Sequence, residues 1–137
     1  MAYDDSGGYA NQSYVTLASG TYNDLDRAKI PQYTVNGITY PAFSSGSTKV
    51  LYILPTGGTV TITGFSAVQA SSGHTFIIVN QDATGNNNLS FSHLTGSAVG
   101  NQFSNMSLNS VFIYSGGAAR CTYLFPPGAQ NGFWQFA

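Results

Sequence analysis

The chain has 137 residues, enough to bury a core as one domain without staples, and 42% of them are hydrophobic. Only 7% are charged, against about 25% in an ordinary soluble domain; glutamate is absent and the formal net charge is −1. Four scattered basic residues argue against a nucleic-acid footprint, and apolar runs of about five residues fall far short of the roughly 20 that span a bilayer. A single cysteine, Cys121, leaves no intramolecular disulfide.

Residues 1–20 are rich in Gly, Ser, Asn and Tyr with no sustained period, which predicts an extended arm, poorly ordered unless something holds it. No basic or apolar stretch at the start has the form of a secretory signal. Tyr3, Tyr9 and Tyr14, with Tyr22 just beyond, are the candidate partner-binding residues, because large aromatic rings give contact area at low entropic cost.

Thr21 followed by Asp24 resembles a capping box, and Pro31 disfavours continuation, so residues 21–30 predict a helix of at most two turns. Asn36-Gly37 between alternating residues predicts a hairpin, since both positions accept positive φ. This gives residues 1–45 as an N-terminal arm with a short helix or hairpin, and 46–137 as the main domain.

From Val50 the rhythm is regular. Val50–Leu54 reads as an apolar strand ended by Pro55-Thr56-Gly57-Gly58, and residues 59–63 as a second strand with Val60 and Ile62 on one face. Residues 75–80 form an apolar run, Gly85 to Asn88 a turn, and Leu89–Phe91 a short strand. Ser110–Ser115, Arg120–Phe125 and Phe133–Phe136 follow, separated by Gly116-Gly117 and Pro126-Pro127-Gly128. β-branched and aromatic residues in short, regularly spaced runs predict an all-β fold, a single β-sandwich or jelly-roll-like domain. Alternation puts Val60, Ile62, Phe76, Ile78, Leu89, Phe91, Val111, Ile113 and Leu124 inside.

The catalytic inventory is thin. His74 and His93 are the only histidines and Asp82 is the only carboxylate side chain after Asp26. A Ser-His-Asp site could be drawn from His74 and Asp82, but nothing singles out the serine, and glycoside hydrolysis needs two flanking carboxylates. His74 follows Gly73 at a strand start and reads as a turn histidine; Cys121, before Thr122-Tyr123-Leu124-Phe125, reads as a buried structural thiol. Two histidines and one aspartate have no metal-ligand spacing, although a histidine on a threefold axis would supply three nitrogens. Gly57-Gly58 and Gly116-Gly117 sit between strands and have no nucleotide-binding form. The expectation is a non-enzyme without cofactor, metal or catalytic residues.

From Val50 onward the order of pieces resembles a β-sandwich module of tailed-phage head-decoration (cement), fibre and spike proteins. A Thr-rich strand ends in glycine at Thr59–Gly64, and an apolar strand ends in asparagine at Phe76–Asn80. The Gly/Asn turn 85–88 leads into Leu89–Phe91, then come Asn101-Gln102-Phe103, residues 110–114 and a terminal strand with Trp134. The stretch 116–132, with its extra strand, departs from that pattern. The resemblance implies a virion structural protein: a decoration subunit made in the host cytoplasm, seated on the capsid surface as a homotrimer. Its partners would be itself and the major capsid protein, with no nucleic acid or membrane. A charge-poor lateral surface, which neither repels copies nor steers charged ligands, agrees with that. The alternative is a receptor-binding tip or short tail fibre recognising a host glycan, whose Tyr, Trp, Asn and Gln side chains suit sugars as well as packing.

Overall fold

Alternating apolar residues and glycine turns produce an all-β protein, and the computed structural model describes residues 11–137. Its strands are β1 (Gln12–Tyr22), β2 (Tyr33–Val35), β3 (Ile38–Tyr40), β4 (Val50–Ile62), β5 (Thr75–Asn80), β6 (Leu89–Phe91), β7 (Val111–Ile113), β8 (Ala118–Leu124) and β9 (Phe133–Phe136). The main sheet runs β7-β6-β4-β5-β8-β9, with β1 also paired to β4. It is mixed: β4 is parallel to β1, β5 and β6, whereas β5/β8, β6/β7 and β8/β9 are antiparallel.

Strand β4 organises the fold. Its first part, Val50–Ile53, pairs with β5, and its last, Val60–Ile62, pairs with β6. The stretch between them holds Pro55 and the positive-φ glycines Gly57 and Gly58. Residues 50–54 and 59–63, expected as two strands, are therefore one. The breakers are tolerated because they fall where neither β5 nor β6 pairs, while β1 continues alongside with a register shift between Ala18 and Gly20. The Asn87 side chain accepts a bond from the Gly58 N–H at 2.7 Å, satisfying backbone that the irregularity leaves free.

Bridges from His93 to Phe103 and from Phe103 to Trp134 link the end of β6 to β9, so the sheet curls until it is nearly barrel-shaped. Inside lies a knot of rings around Phe65, whose centroid is 5.3 Å from Phe43 and from Phe76, 5.4 Å from Phe103 and 5.6 Å from Trp134. These packings are tilted or edge-to-face, as ring quadrupoles favour. Trp134 donates its indole N–H to the Phe65 carbonyl at 2.9 Å, so the one polar atom of the core tryptophan is paired.

Most of the expected core is buried: Val60, Ile62, Phe76, Ile78, Leu89, Phe91 and Ile113. Val111 is only partly covered, and Leu124 is on the wrong face. In β8, Cys121 and Tyr123 point inward while Arg120 and Leu124 do not. An arginine at 120 cannot enter the core unpaired, and a strand of period 2 then sends Leu124 out with it. Tyr123 is admitted because its hydroxyl donates to the Gly100 carbonyl at 2.7 Å.

Two expectations near the N-terminus are corrected. Residues 12–22 are no free arm but strand β1, with Ser13, Val15 and Leu17 buried against β4. The predicted helix in 21–30 is a single turn. Its cap is Asp26, not Thr21, with the Asp26 carboxylate accepting the Ala28 N–H at 2.9 Å and the Asp26 carbonyl accepting Ile30 N–H at 3.0 Å. The Asn36-Gly37 hairpin forms as expected, as β2 and β3, with both turn residues at positive φ.

Candidate interaction surface

The groups that could have carried chemistry are apart and occupied. His74 donates from Nε2 to the Thr48 carbonyl at 2.9 Å, its ring lies 5.9 Å from Phe76, and burial holds its pKa below the ordinary imidazole value. His93 accepts the Asn105 N–H through Nδ1 at 2.9 Å on another part of the sheet. The Asp82 carboxylate accepts from the Ser115 hydroxyl at 2.7 Å, the Thr84 hydroxyl at 2.8 Å and the backbone N–H of Asn87 at 3.0 Å. These bonds, led by Ser115, hold its pKa well below the usual carboxylate range. Asp82 is thus a loop organiser: it ties residues 84–87 to Ser115, while Asn80 ties the same loop to the Ile113 carbonyl at 3.0 Å. Cys121 is fully buried, and burial pushes its thiol pKa up, away from the reactive thiolate. No three His, Cys, Asp or Glu side chains among the described residues are grouped to hold a metal.

Of the four candidate tyrosines, Tyr3 and Tyr9 lie outside the described residues. Tyr14 points out from β1, where its ring stacks on Tyr33 at 5.2 Å and lies 5.6 Å from Tyr40 and 6.5 Å from Tyr52. This cluster fastens the β2–β3 hairpin to the outer face of β1 and β4, and burial, then the neighbouring Tyr33 and Tyr40, raise the Tyr14 pKa. Tyr22 packs on the core margin and donates to the Ala18 carbonyl at 2.7 Å. Both are engaged within the chain.

Val68, Leu94 and Val99 are exposed singly elsewhere; a set of four exposed apolar side chains lies along β7 and the loop before it. Met106 is 83% exposed, Leu108 72%, Phe112 49% and Tyr114 65%. The rings of Phe112 and Tyr114 stack at 6.2 Å, with 14° between their planes. The loop is fixed from beneath by Asn105, whose buried side-chain amide donates to the Phe91 and Asn109 carbonyls at 3.0 and 2.9 Å. Leu108 is held at φ +61°, a left-handed conformation that costs a bulky residue roughly 1–3 kcal/mol. Strain is thus accepted while an apolar side chain stays in water.

Among the described residues, strand β7 pairs with β6 on one side and with no strand on the other. Natural edge strands are blunted by shortness, lysine, proline or a bulge; β7 is only three residues long and carries no lysine or proline. No Asp, Glu, Lys or Arg occurs between Asp82 and Arg120. Sequence reasoning missed this surface although the signal was present: placing Val111 and Ile113 inward already places Phe112 and Tyr114 outward.

Comparison with protein-family models, with curated proteins and with solved structures finds no match in any of the three.

Proposed function

We propose that this chain is a structural assembly subunit, a trimeric decoration protein of a tailed-phage head, that joins copies of itself through the β7 face and rests on the major capsid protein. The observation that carries the reading is the exposed, uncharged set Met106, Leu108, Phe112 and Tyr114 on and just before a short edge strand. Exposed apolar side chains grouped in one stretch of chain suit an interaction site. The four side chains leave on the order of 500 Å² in water, against about 800 Å² per partner in a standard interface. A net charge of −1 adds little repulsion between copies.

The phage head and the number three rest on the resemblance in the order of pieces from Val50 onward. In this reading the curled sheet is a rolled variant of the β-sandwich of such modules. The test is co-sedimentation of the purified chain with undecorated capsids. Saturable attachment supports the reading, and no attachment at micromolar protein counts against it.

A second reading is favoured by one observation. Phe112 and Tyr114 are exposed aromatic side chains close to one another, and an exposed ring suits the apolar face of a sugar at a receptor-binding tip. A glycan array distinguishes the two: selective glycan binding abolished by Phe112→Ser, without capsid attachment, selects the tip.

A further inference from the structure

We infer that the β7 edge of one copy pairs with the β1 edge of the next, so that the main sheet runs on from copy to copy and closes around a threefold axis; this rests on assembly through the β7 face.

Symmetry requires a receiving surface. A ring of three is built from heterologous contacts, in which a patch on one copy meets a different patch on its neighbour. Three strands end the main sheet: β1, β7 and β9. The far side of β9 is already met by the stretch around Phe103. There the Gln102 carbonyl accepts the Trp134 N–H at 2.9 Å, and the Trp134 carbonyl accepts the Ser104 N–H at 2.8 Å. Among the described residues β1 pairs with β4 alone, so its far side is the edge left to receive β7.

The two edges lie opposite one another. Val60, Thr61 and Ile62 each have one register partner in β1 and one in β6, which must flank β4 on its two sides. The rows continue into β7: Thr21, Thr61, Ser90 and Phe112 are successive partners, as are Tyr22, Ile62, Phe91 and Val111. Thr21 and Phe112 therefore end the same row on the same face of the sheet. The Tyr22 carbonyl accepts the Thr63 N–H at 3.0 Å. That turns the Tyr22 backbone towards β4 and, by alternation, the Thr21 backbone towards the open side.

Direction and composition agree. Strands β1, β4 and β6 run parallel, and β7 runs antiparallel to β6. Rotation about an axis along the strands keeps their directions, so β7 of one copy meets β1 of the next antiparallel, the more stable kind of pairing. Strand β1 has eleven residues, none charged and none proline, and its one irregularity is the register shift between Ala18 and Gly20. Residues 18–21 are exposed. A long edge without lysine or proline is a template for another strand. Neither β1 nor β7 carries an ion that pairing would desolvate, and closing the ring occupies both edges at once.

The test is sedimentation velocity of the full chain, of an Ala18→Lys/Thr21→Lys variant and of the Phe112→Ser/Tyr114→Ser variant, alone and mixed. The lysines occupy exposed positions and leave the backbone bonds between β1 and β4 in place; circular dichroism checks the fold, and Thr21→Lys alone is the milder variant, read the same way. The wild type should sediment as three chains and each variant as one. An equimolar mixture of the lysine and serine variants, at the highest soluble concentration, should give a two-chain species, because the intact β7 of the first still meets the intact β1 of the second. A monomeric wild type would refute assembly itself. A trimeric wild type beside a folded lysine variant that stays a trimer would overturn the role of β1 alone, as would a mixture with no two-chain species.

Discussion

Phe65 is the side chain whose loss this fold should feel most. It is fully buried and meets five rings, those of Phe43, Phe76, Phe91, Phe103 and Trp134, at centroid distances of 5.3 to 6.5 Å. Phe→Ala in a core costs about 3–5 kcal/mol in lost transfer energy and cavity, and aromatic pairs add about 0.5–1.5 kcal/mol each beyond area, not additively. The expected loss is about 4–5 kcal/mol, a large part of a total stability of about 5–15 kcal/mol. With a urea slope near 1.5–2 kcal/mol/M, the midpoint should fall by about 2–3 M. The assay is urea unfolding followed by Trp134 fluorescence at one fixed protein concentration, since assembly would make the midpoint concentration-dependent. Phe65→Leu is the companion variant; it keeps most of the volume and should cost under about 2 kcal/mol. A loss below about 1.5 kcal/mol for Phe65→Ala would refute the ring knot as the centre of the core.

Further outcomes follow from the same geometry. Ile78→Ala, fully buried on β5, should cost about 2–5 kcal/mol, and a urea-melt loss below about 1 kcal/mol would mean the register is wrong. Gly64→Ala would drive a methyl into the Asn101 carbonyl oxygen and should cost at least about 2 kcal/mol; an unchanged melting temperature would refute that close approach. Acidification should destabilise in two stages. The folded-state pKa of His74 is depressed, so its contribution is complete above about pH 6.5 and is lost as pH falls below that. The Asp82 pKa is also depressed, so its contribution is complete above about pH 4 and is lost in stronger acid. His74→Gln should remove the first stage alone and Asp82→Asn should weaken the second; a pH profile unchanged by both substitutions would contradict these assignments.

What was legible in the chain was local. The Asn36-Gly37 hairpin, the apolar run of β5 and the alternation of β6 depend on neighbouring residues and turn chemistry, and they formed where expected. What was not legible depends on partners far away. Strand β1 pairs in parallel with β4, Gln12 opposite Val50; a parallel pair has no connecting turn to announce it, so residues 12–20 looked like a polar arm. Pro55 and Gly57-Gly58 are strong local breakers, overridden because β1 bridges the gap between β5 and β6. The face of Leu124 was legible in principle, since Arg120 fixes the parity of β8. The role of Phe65 was not, because a phenylalanine in a glycine- and serine-flanked stretch carries no sign of the rings that converge on it.

The central claim, assembly through the β7 face, is tested most directly by sedimentation velocity of the purified chain at micromolar concentration, beside a Phe112→Ser/Tyr114→Ser variant. Both substitutions lie on exposed positions and should leave the fold intact, as far-ultraviolet circular dichroism would verify. The account predicts a wild-type species of three times the 14.5 kDa chain mass and a variant that sediments as a single chain. A wild type that is itself a stable monomer, or a folded variant that remains a trimer, would contradict it.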